Sequence, residues 1–209
     1  MSNYENQIRS MSFNVLLDYP QDGKKDWKYR RSMVVSMIQF HHIDIAGMQE
    51  VLNNQMEDLA SKLPEYGFIG VGREDGKTLG EFVPIIYLKE RFSLKNQGVF
   101  WLSETPQISN SMGWDAACTR ITTWAEFFDN ETKKTFFFFN THFDHIGVIA
   151  RRKSSYLLQD MVEKIAGDSP VIIEATEKST LFSVKFSSLN RKSMTYPYFW
   201  IFHALYFYI

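Results

Sequence analysis

Four consecutive phenylalanines, Phe136, Phe137, Phe138 and Phe139, constrain the fold more than any other feature of the chain. An unbroken aromatic run fits a strand buried on both faces, because a half-exposed strand shows a polar residue at every second position. The run stops at Asn140, and Thr141, His142, Phe143, Asp144 and His145 follow. A buried strand opening at its C-terminal end into an amide, a hydroxyl, two imidazoles and a carboxylate places reactive groups at the rim of a sheet. Such a cluster needs partners on other elements.

Candidate partners stand at the ends of other expected strands. Residues 8–16 alternate, with Met11, Phe13 and Val15 on one face and Asn14 near the end. Residues 29–41 and 52–63 carry apolar side chains at spacings of three and four and read as helices, the second stopped by Pro64. Residues 43–48 form a short buried strand closed by Gln49 and Glu50. Residues 66–71, 82–88, 92–99 and 119–128 read as further strands, and Asp129-Asn130 as a hairpin turn into 135–140. The segment 72–80, with Gly72, Gly76 and Gly80, is too loose for a phosphate loop and reads as a flexible connection. A third helix over 147–166 leads to a buried strand at 171–173. Mixed strands with helices outside them make an α/β (α+β) two-sheet sandwich the expected fold class.

Composition removes several functions. The 209 residues are 44% hydrophobic and 22% charged, ordinary for one globular domain. A net charge of −1 leaves no overall basic footprint for duplex nucleic acid. Cys118 is the sole cysteine, which rules out an internal disulfide and fits a reducing compartment. Residues 1–9 lack the apolar stretch of a signal peptide, and the apolar run at 196–209 falls short of the ~20 residues of a spanning helix. A cytoplasmic protein without a transmembrane segment is expected.

The candidate site residues are Asn14, Glu50, Glu81, Asp115, Arg120, Asn140, His142, Asp144 and His145. A carboxylate among oxygen ligands suits Mg²⁺ or Mn²⁺, which keep waters for a phosphate. A histidine beside it stabilises a phosphate oxygen or moves protons, and arginine and asparagine orient and neutralise the phosphoryl group. Structural roles compete: Asp144 or His145 as a cap before the third helix, Asp115 paired with Arg120, and Arg151, Arg152 and Lys153 as a solvated helix face.

The order of motifs resembles the endonuclease/exonuclease/phosphatase superfamily, with its deoxyribonuclease-I-like fold. The matching pieces are Met11-Ser-Phe-Asn14, Asp44-Ile-Ala-Gly-Met-Gln-Glu50, Gly80-Glu81-Phe-Val-Pro-Ile-Ile-Tyr87, Phe100-Trp-Leu-Ser-Glu-Thr-Pro106, Gly113-Trp-Asp-Ala-Ala-Cys-Thr-Arg120 and Asn140-Thr-His-Phe-Asp-His145. Together they resemble the bacterial branch distantly related to mRNA deadenylases, over about residues 7–173. The resemblance implies Glu50 as metal ligand with Asn14 beside it, Glu81 as support for a catalytic His142, and Asn140 and Asp144 flanking that histidine. It also implies Arg120 in the substrate cleft, Mg²⁺ (or Mn²⁺) as cofactor, and a phosphate-containing substrate.

One departure is severe. Family members continue a strand like 169–173 with Gly-Asp-Phe-Asn, whereas this chain reads Glu174-Ala-Thr-Glu-Lys178, and no later Ser-Asp-His motif follows. After Glu177 there is no acidic residue, and aromatics without a regular period dominate. The expectation is therefore a partial domain over 7–173, C-terminally truncated, with an aberrant tail over 174–209. Its hydrolase chemistry would be impaired and its open strand edges prone to self-association. An inactive remnant and an interaction module with a hydrophobic tail are the competing readings.

Overall fold

The computed structural model describes residues 7–19, 21 and 23–176. The aromatic tail beyond Thr176 lies outside the described residues. Sheet one contains β1 (Ser10–Asn14), β2 (Ile45–Gln49), β3 (Tyr66–Ile69) and β4 (Ile85–Leu88), in the order β1-β2-β4-β3. β1 and β2 are parallel, joined by the crossover helix α1 (Trp27–Phe40), and α2 (Asn53–Lys62) follows β2. Sheet two contains β5 (Phe92–Trp101), β6 (Ile121–Asp129), β7 (Lys134–His142) and β8 (Val171–Thr176) in chain order. Its first three strands are antiparallel; β8 returns parallel to β7 through α3 (Val148–Ala166). This is the two-sheet sandwich with outer helices that the pattern predicts, a deoxyribonuclease-I-like arrangement.

The phenylalanine run shows why β7 is central. Phe136 and Phe138 face the inter-sheet core with Ile45, Ile85, Phe92 and Phe127. Phe137 and Phe139 face outward, under Leu158, Val162 and Ala166 of α3. Phe136 lies opposite Phe127 in register, with ring centroids 5.7 Å apart. On the other side, Trp27, Val34, Ile38 and Leu59 of α1 and α2 cover Met11, Phe13, Ala46 and Met48 of sheet one. Each buried aromatic or aliphatic side chain of this kind contributes about 1.5–3 kcal/mol.

Beyond shifts of one or two residues at strand ends, three features differ from expectation. The single strand expected over 82–88 is interrupted at Pro84, which has no N–H to give the ladder; Phe82 makes only isolated bridges to Val51 and Gly72. β8 continues past Ile173 through Glu174, Ala175 and Thr176, paired to Asn140, Thr141 and His142. The glycine-rich connection is not a loose link but a compact loop, with Gly72 N–H donating to Lys77 O at 3.0 Å and Glu74 N–H to Leu79 O at 3.1 Å. A Cβ on Gly72 would lie 2.2 Å from Leu79 O, so only glycine lets the two segments close. Among the described residues, no helix is long and apolar enough to cross a membrane.

Candidate active site

The C-terminal ends of β1, β2 and β7 meet at one end of the sandwich, and the predicted residues gather there. Asn14 ends β1; its Oδ1 accepts from Leu16 N–H at 3.0 Å, which turns its Nδ2 to donate to Glu50 Oε1 at 2.8 Å. Glu50 is buried and adopts a left-handed backbone (φ +58°), a conformation that costs a non-glycine residue about 1–2 kcal/mol.

Two buried side chains that the sequence reading missed hold the Asn14 loop in place. Arg30 of α1 donates to the carbonyls of Lys25 and Val15, and to those of Leu16 and Leu17 at 3.0 and 3.3 Å. Gln55 of α2 donates to Leu16 O at 3.0 Å and accepts from Asp18 N–H at 3.2 Å and Leu52 N–H at 2.9 Å. Both lie in the apolar register of their helices, Arg30 between Trp27 and Val34 and Gln55 four before Leu59. A polar residue at a core position was the available signal.

Beyond Glu50 the site continues as a dense charge network. Glu81 pairs with Arg73 at 2.9 Å, and its other oxygen lies 4.0 Å from His142 Nδ1. Burial pushes the Glu81 carboxyl up; Arg73 and Arg120 pull against that, and the nearby Glu50 charge adds to it. Arg120 is buried, with Nη1 3.2 Å from His142 Nδ1 and Nη2 2.9 Å from His145 Nδ1. Its Nε lies 3.6 Å from Asp144 Oδ2. Arg73 also went unrecognised: it arrives on the glycine-rich loop, whose carbonyl at Arg73 accepts from Trp101 Nε1 at 2.7 Å.

The structure puts Asn140 and Asp144 at joints. The Asn140 amide donates to Met48 O at 2.7 Å and Pro84 O at 2.8 Å and accepts from Gln49 Nε2 at 2.8 Å, tying the sheets together. Asp144 Oδ1 accepts from Ile146 and Gly147 N–H at 2.9 and 2.7 Å, and Oδ2 from Ala117 N–H at 3.0 Å. Burial alone would raise this carboxyl, but these donors and Arg120 outweigh it and hold it below the usual aspartate range. Asp115 does not pair with Arg120; it caps α3, accepting from Ile149 N–H at 3.2 Å and Ala150 N–H at 2.6 Å.

Two places could hold a metal. Cys118, Asp144 and His145 bring ligand atoms within 4.8 Å of one another. That group fits a cation poorly: Asp144 is committed to N–H donors, and the Arg120 guanidinium already lies against His145. Glu50 fits better. Among the described residues its carboxylate accepts a side-chain hydrogen bond from the Asn14 amide alone, and the Glu81 charge is near enough to couple to it. Oxygen donors of this kind suit a hard divalent ion.

The fold defines the class, a two-sheet sandwich with outer helices and a polar cluster at one end, and comparison with known proteins names the family. An endonuclease/exonuclease/phosphatase from Bacteroides vulgatus superposes with a TM-score of 0.81 at 46% identity, covering 83% of this chain and 66% of that one. A mannosyl-6-phosphatase from Bacteroides thetaiotaomicron gives a TM-score of 0.78 at 38% identity, covering 81% and 64%. An uncharacterized protein of Acanthamoeba polyphaga mimivirus is 30% identical, covering 81% of this chain and 67% of the relative. No family model matches the sequence. The chain belongs to the endonuclease/exonuclease/phosphatase family, and it spans about two thirds of the length of these relatives.

Proposed function

We propose that the chain is a metal-dependent phosphoester or phosphodiester hydrolase with an impaired site. The observation that carries this is the convergence of the Asn14–Glu50 pair with the His142, Arg120 and Glu81 network at one end of the sandwich. Glu50, oriented by Asn14, would hold Mg²⁺ (or Mn²⁺), which when bound neutralises charge on a phosphate. Water attacks phosphorus in line, the leaving oxygen departs on the opposite side, and His142 stabilises the charge that develops on the phosphoryl oxygens. Arg120 adds positive charge at the same place, while Asn140 and Asp144 keep β7 and its following loop fixed against sheet one. The substrate class is a phosphate monoester or diester of a nucleic acid, nucleotide, sugar, inositol or lipid; phosphatase action on a sugar phosphate has a precedent in the Bacteroides thetaiotaomicron relative.

Support for impairment comes from the end of β8, where the resemblance expects Gly-Asp-Phe-Asn and the chain reads Glu174-Ala-Thr-Glu-Lys178. Thr176 is the β8 partner of His142, and its buried hydroxyl has no hydrogen-bond partner among the described residues. A hydroxyl cannot do the work of a water-facing carboxylate, and loss of general-base action alone costs roughly 10²–10⁴ in rate. In the same reading β1 and β8, edge strands among the described residues, are where copies would self-associate.

The test combines calorimetric Mg²⁺ and Mn²⁺ titration with turnover of bis-p-nitrophenyl phosphate and p-nitrophenyl phosphate. Wild type binds metal and Glu50→Gln does not; turnover falls far below the ordinary enzyme median of about 10 s⁻¹. Equal metal binding by both proteins overturns the role of Glu50. Turnover near the median overturns the impairment.

A further inference from the structure

Arg120 lies between His142, the last residue of β7, and His145 of the loop that follows, and a guanidinium can only donate hydrogen bonds. Its Nη1 is 3.2 Å from Nδ1 of His142 and its Nη2 is 2.9 Å from Nδ1 of His145. Both contacts require Nδ1 to be the acceptor, which in a neutral imidazole puts the proton on Nε2. Glu81 is the rival partner of His142, since its Oε2 lies 4.0 Å from the same Nδ1. A carboxylate there calls for the opposite tautomer, with the proton on Nδ1. One nitrogen cannot serve both partners, and only the Arg120 contact is at hydrogen-bond distance. Glu81 is meanwhile held by Arg73 at 2.9 Å. Arg120 has little room to drift, being buried beside Asp144, whose carboxylate is pinned by three backbone N–H groups.

We propose that Arg120 is a positioning residue that fixes His142 and His145 as a matched pair of Nε2–H tautomers. Each imidazole then carries its proton on Nε2 as a hydrogen-bond donor suited to an anionic group such as phosphate. In this state His142 stabilises charge and cannot accept a proton at Nε2. That donor role rests on the hydrolase reading; the tautomer assignment does not. The planar fork of arginine is what spans two rings at once. A lysine ammonium is a point charge on a flexible stem and reaches one of them.

Long-range ¹H–¹⁵N correlation spectra of the full chain labelled at histidine read the tautomers directly, with signals assigned through His142→Gln and His145→Gln. In the wild type both histidines show Nδ1 far downfield of Nε2, the signature of an unprotonated Nδ1. Arg120→Ala loses that signature at one or both rings, with His142 moving toward the Nδ1–H form beside Glu81, and Arg120→Lys restores it at no more than one ring. A wild-type spectrum with Nδ1–H or averaged nitrogens at both rings overturns the proposal without any variant. So does an Arg120→Ala spectrum unchanged from wild type. Absence of phosphoester turnover with the signature present overturns the hydrolase reading alone, whereas turnover without the signature overturns the clamp alone.

Discussion

Asp144, in the loop after β7, and Glu174, in the neighbouring strand β8, are buried to nearly the same degree, 2% and 3% exposed, yet their pKa values are shifted in opposite directions. Asp144 is held below the ordinary aspartate range because N–H groups of Gly147, Ile146 and Ala117, with Arg120, outweigh its burial. Glu174 is pushed up to about 8, its burial opposed only by a hydrogen bond with Ser10. Its Oε1 has no partner among the described residues. Burial sets the cost of a charge and the donors aimed at it decide whether the charge survives. The loop after β7 is built around an anion; the middle of β8 is built around a neutral acid.

The same division runs along the inner face of β7. Phe136 and Phe138 contribute apolar packing, while Asn140 and His142, two and four residues beyond Phe138, form the polar contacts of the candidate site. The site is thus the sandwich core continued with polar side chains. Its polar groups must be satisfied by one another, because water is largely excluded.

Removing the anion that the loop is built around should cost most. Asp144→Ala leaves Arg120 and three backbone N–H groups without their acceptor, and breaking a buried pair this way typically costs about 3–5 kcal/mol. Urea unfolding at neutral pH measures it. A loss below ~1 kcal/mol would mean that water replaces the carboxylate, and the contrast with Glu174 would collapse.

Glu174→Gln should act in the other direction, and only at higher pH. An acid whose folded pKa is raised, here from 4.5 to about 8, binds more protons folded than unfolded between those values. Its contribution to stability is therefore full below about 4.5, falls as pH rises toward about 8, and is flat above. Asp144, with its pKa lowered, stabilises above its unfolded value of 3.8 and loses that stability as pH falls. At ~1.4 kcal/mol per pH unit, Glu174→Gln should be more stable than wild type by a few kcal/mol at pH 8 and similar near pH 4.5. Parallel wild-type and variant curves of melting temperature against pH would show that Glu174 has found a donor after all.

Much of this was legible in the chain. The phenylalanine run announced a strand buried on both faces, and the alternation before Asn14 and the helical periods of α1 and α2 placed the outer layer. Glu50 and His142 were readable as candidates because each closes an apolar strand, and Glu81 and Arg120 because they stand near the starts of expected strands within motifs that resemble the family's. Other features depend on contacts that no local pattern encodes. Pro84 delays the start of β4 because it has no N–H for the ladder, while its carbonyl accepts from Met48 N–H and Asn140 Nδ2, and Arg73 reaches Glu81 only because the glycine loop folds back. Glu174 looked like the start of an aberrant tail because a glutamate breaks the apolar run. In space it is a core position facing Gly47 and Asn140.

Gly47→Ala sharpens the comparison from the Glu174 side without touching Asp144. The added Cβ would sit 2.5 Å from Asn140 Oδ1 and 3.0 Å from Glu174 Cβ, so one of those side chains must shift. Overpacking of this kind costs about 1–3 kcal/mol. Titration near pH 8 should move with it, because the surroundings of Glu174 change. An unchanged titration with full destabilisation would place the strain on Asn140 alone.

Cys118→Ala is the smallest test and bears on what holds Asp144 charged. The thiol lies 3.8 Å from Asp144 Oδ2, a weak contact at best beside the Ala117 N–H at 3.0 Å on the same oxygen. Burial raises the thiol's own pKa, so it remains protonated and adds no negative charge to the pocket. If the backbone donors and Arg120 carry Asp144, losing an S–H contact changes stability by about 0.5 kcal/mol. The acid limb of the pH-stability curve, where Asp144 protonates, should stay where it is. A shift of that limb to higher pH in Cys118→Ala would make the thiol a true donor to Asp144. The anion would then be held by a side chain that oxidation can remove, not by the fixed N–H groups of the loop.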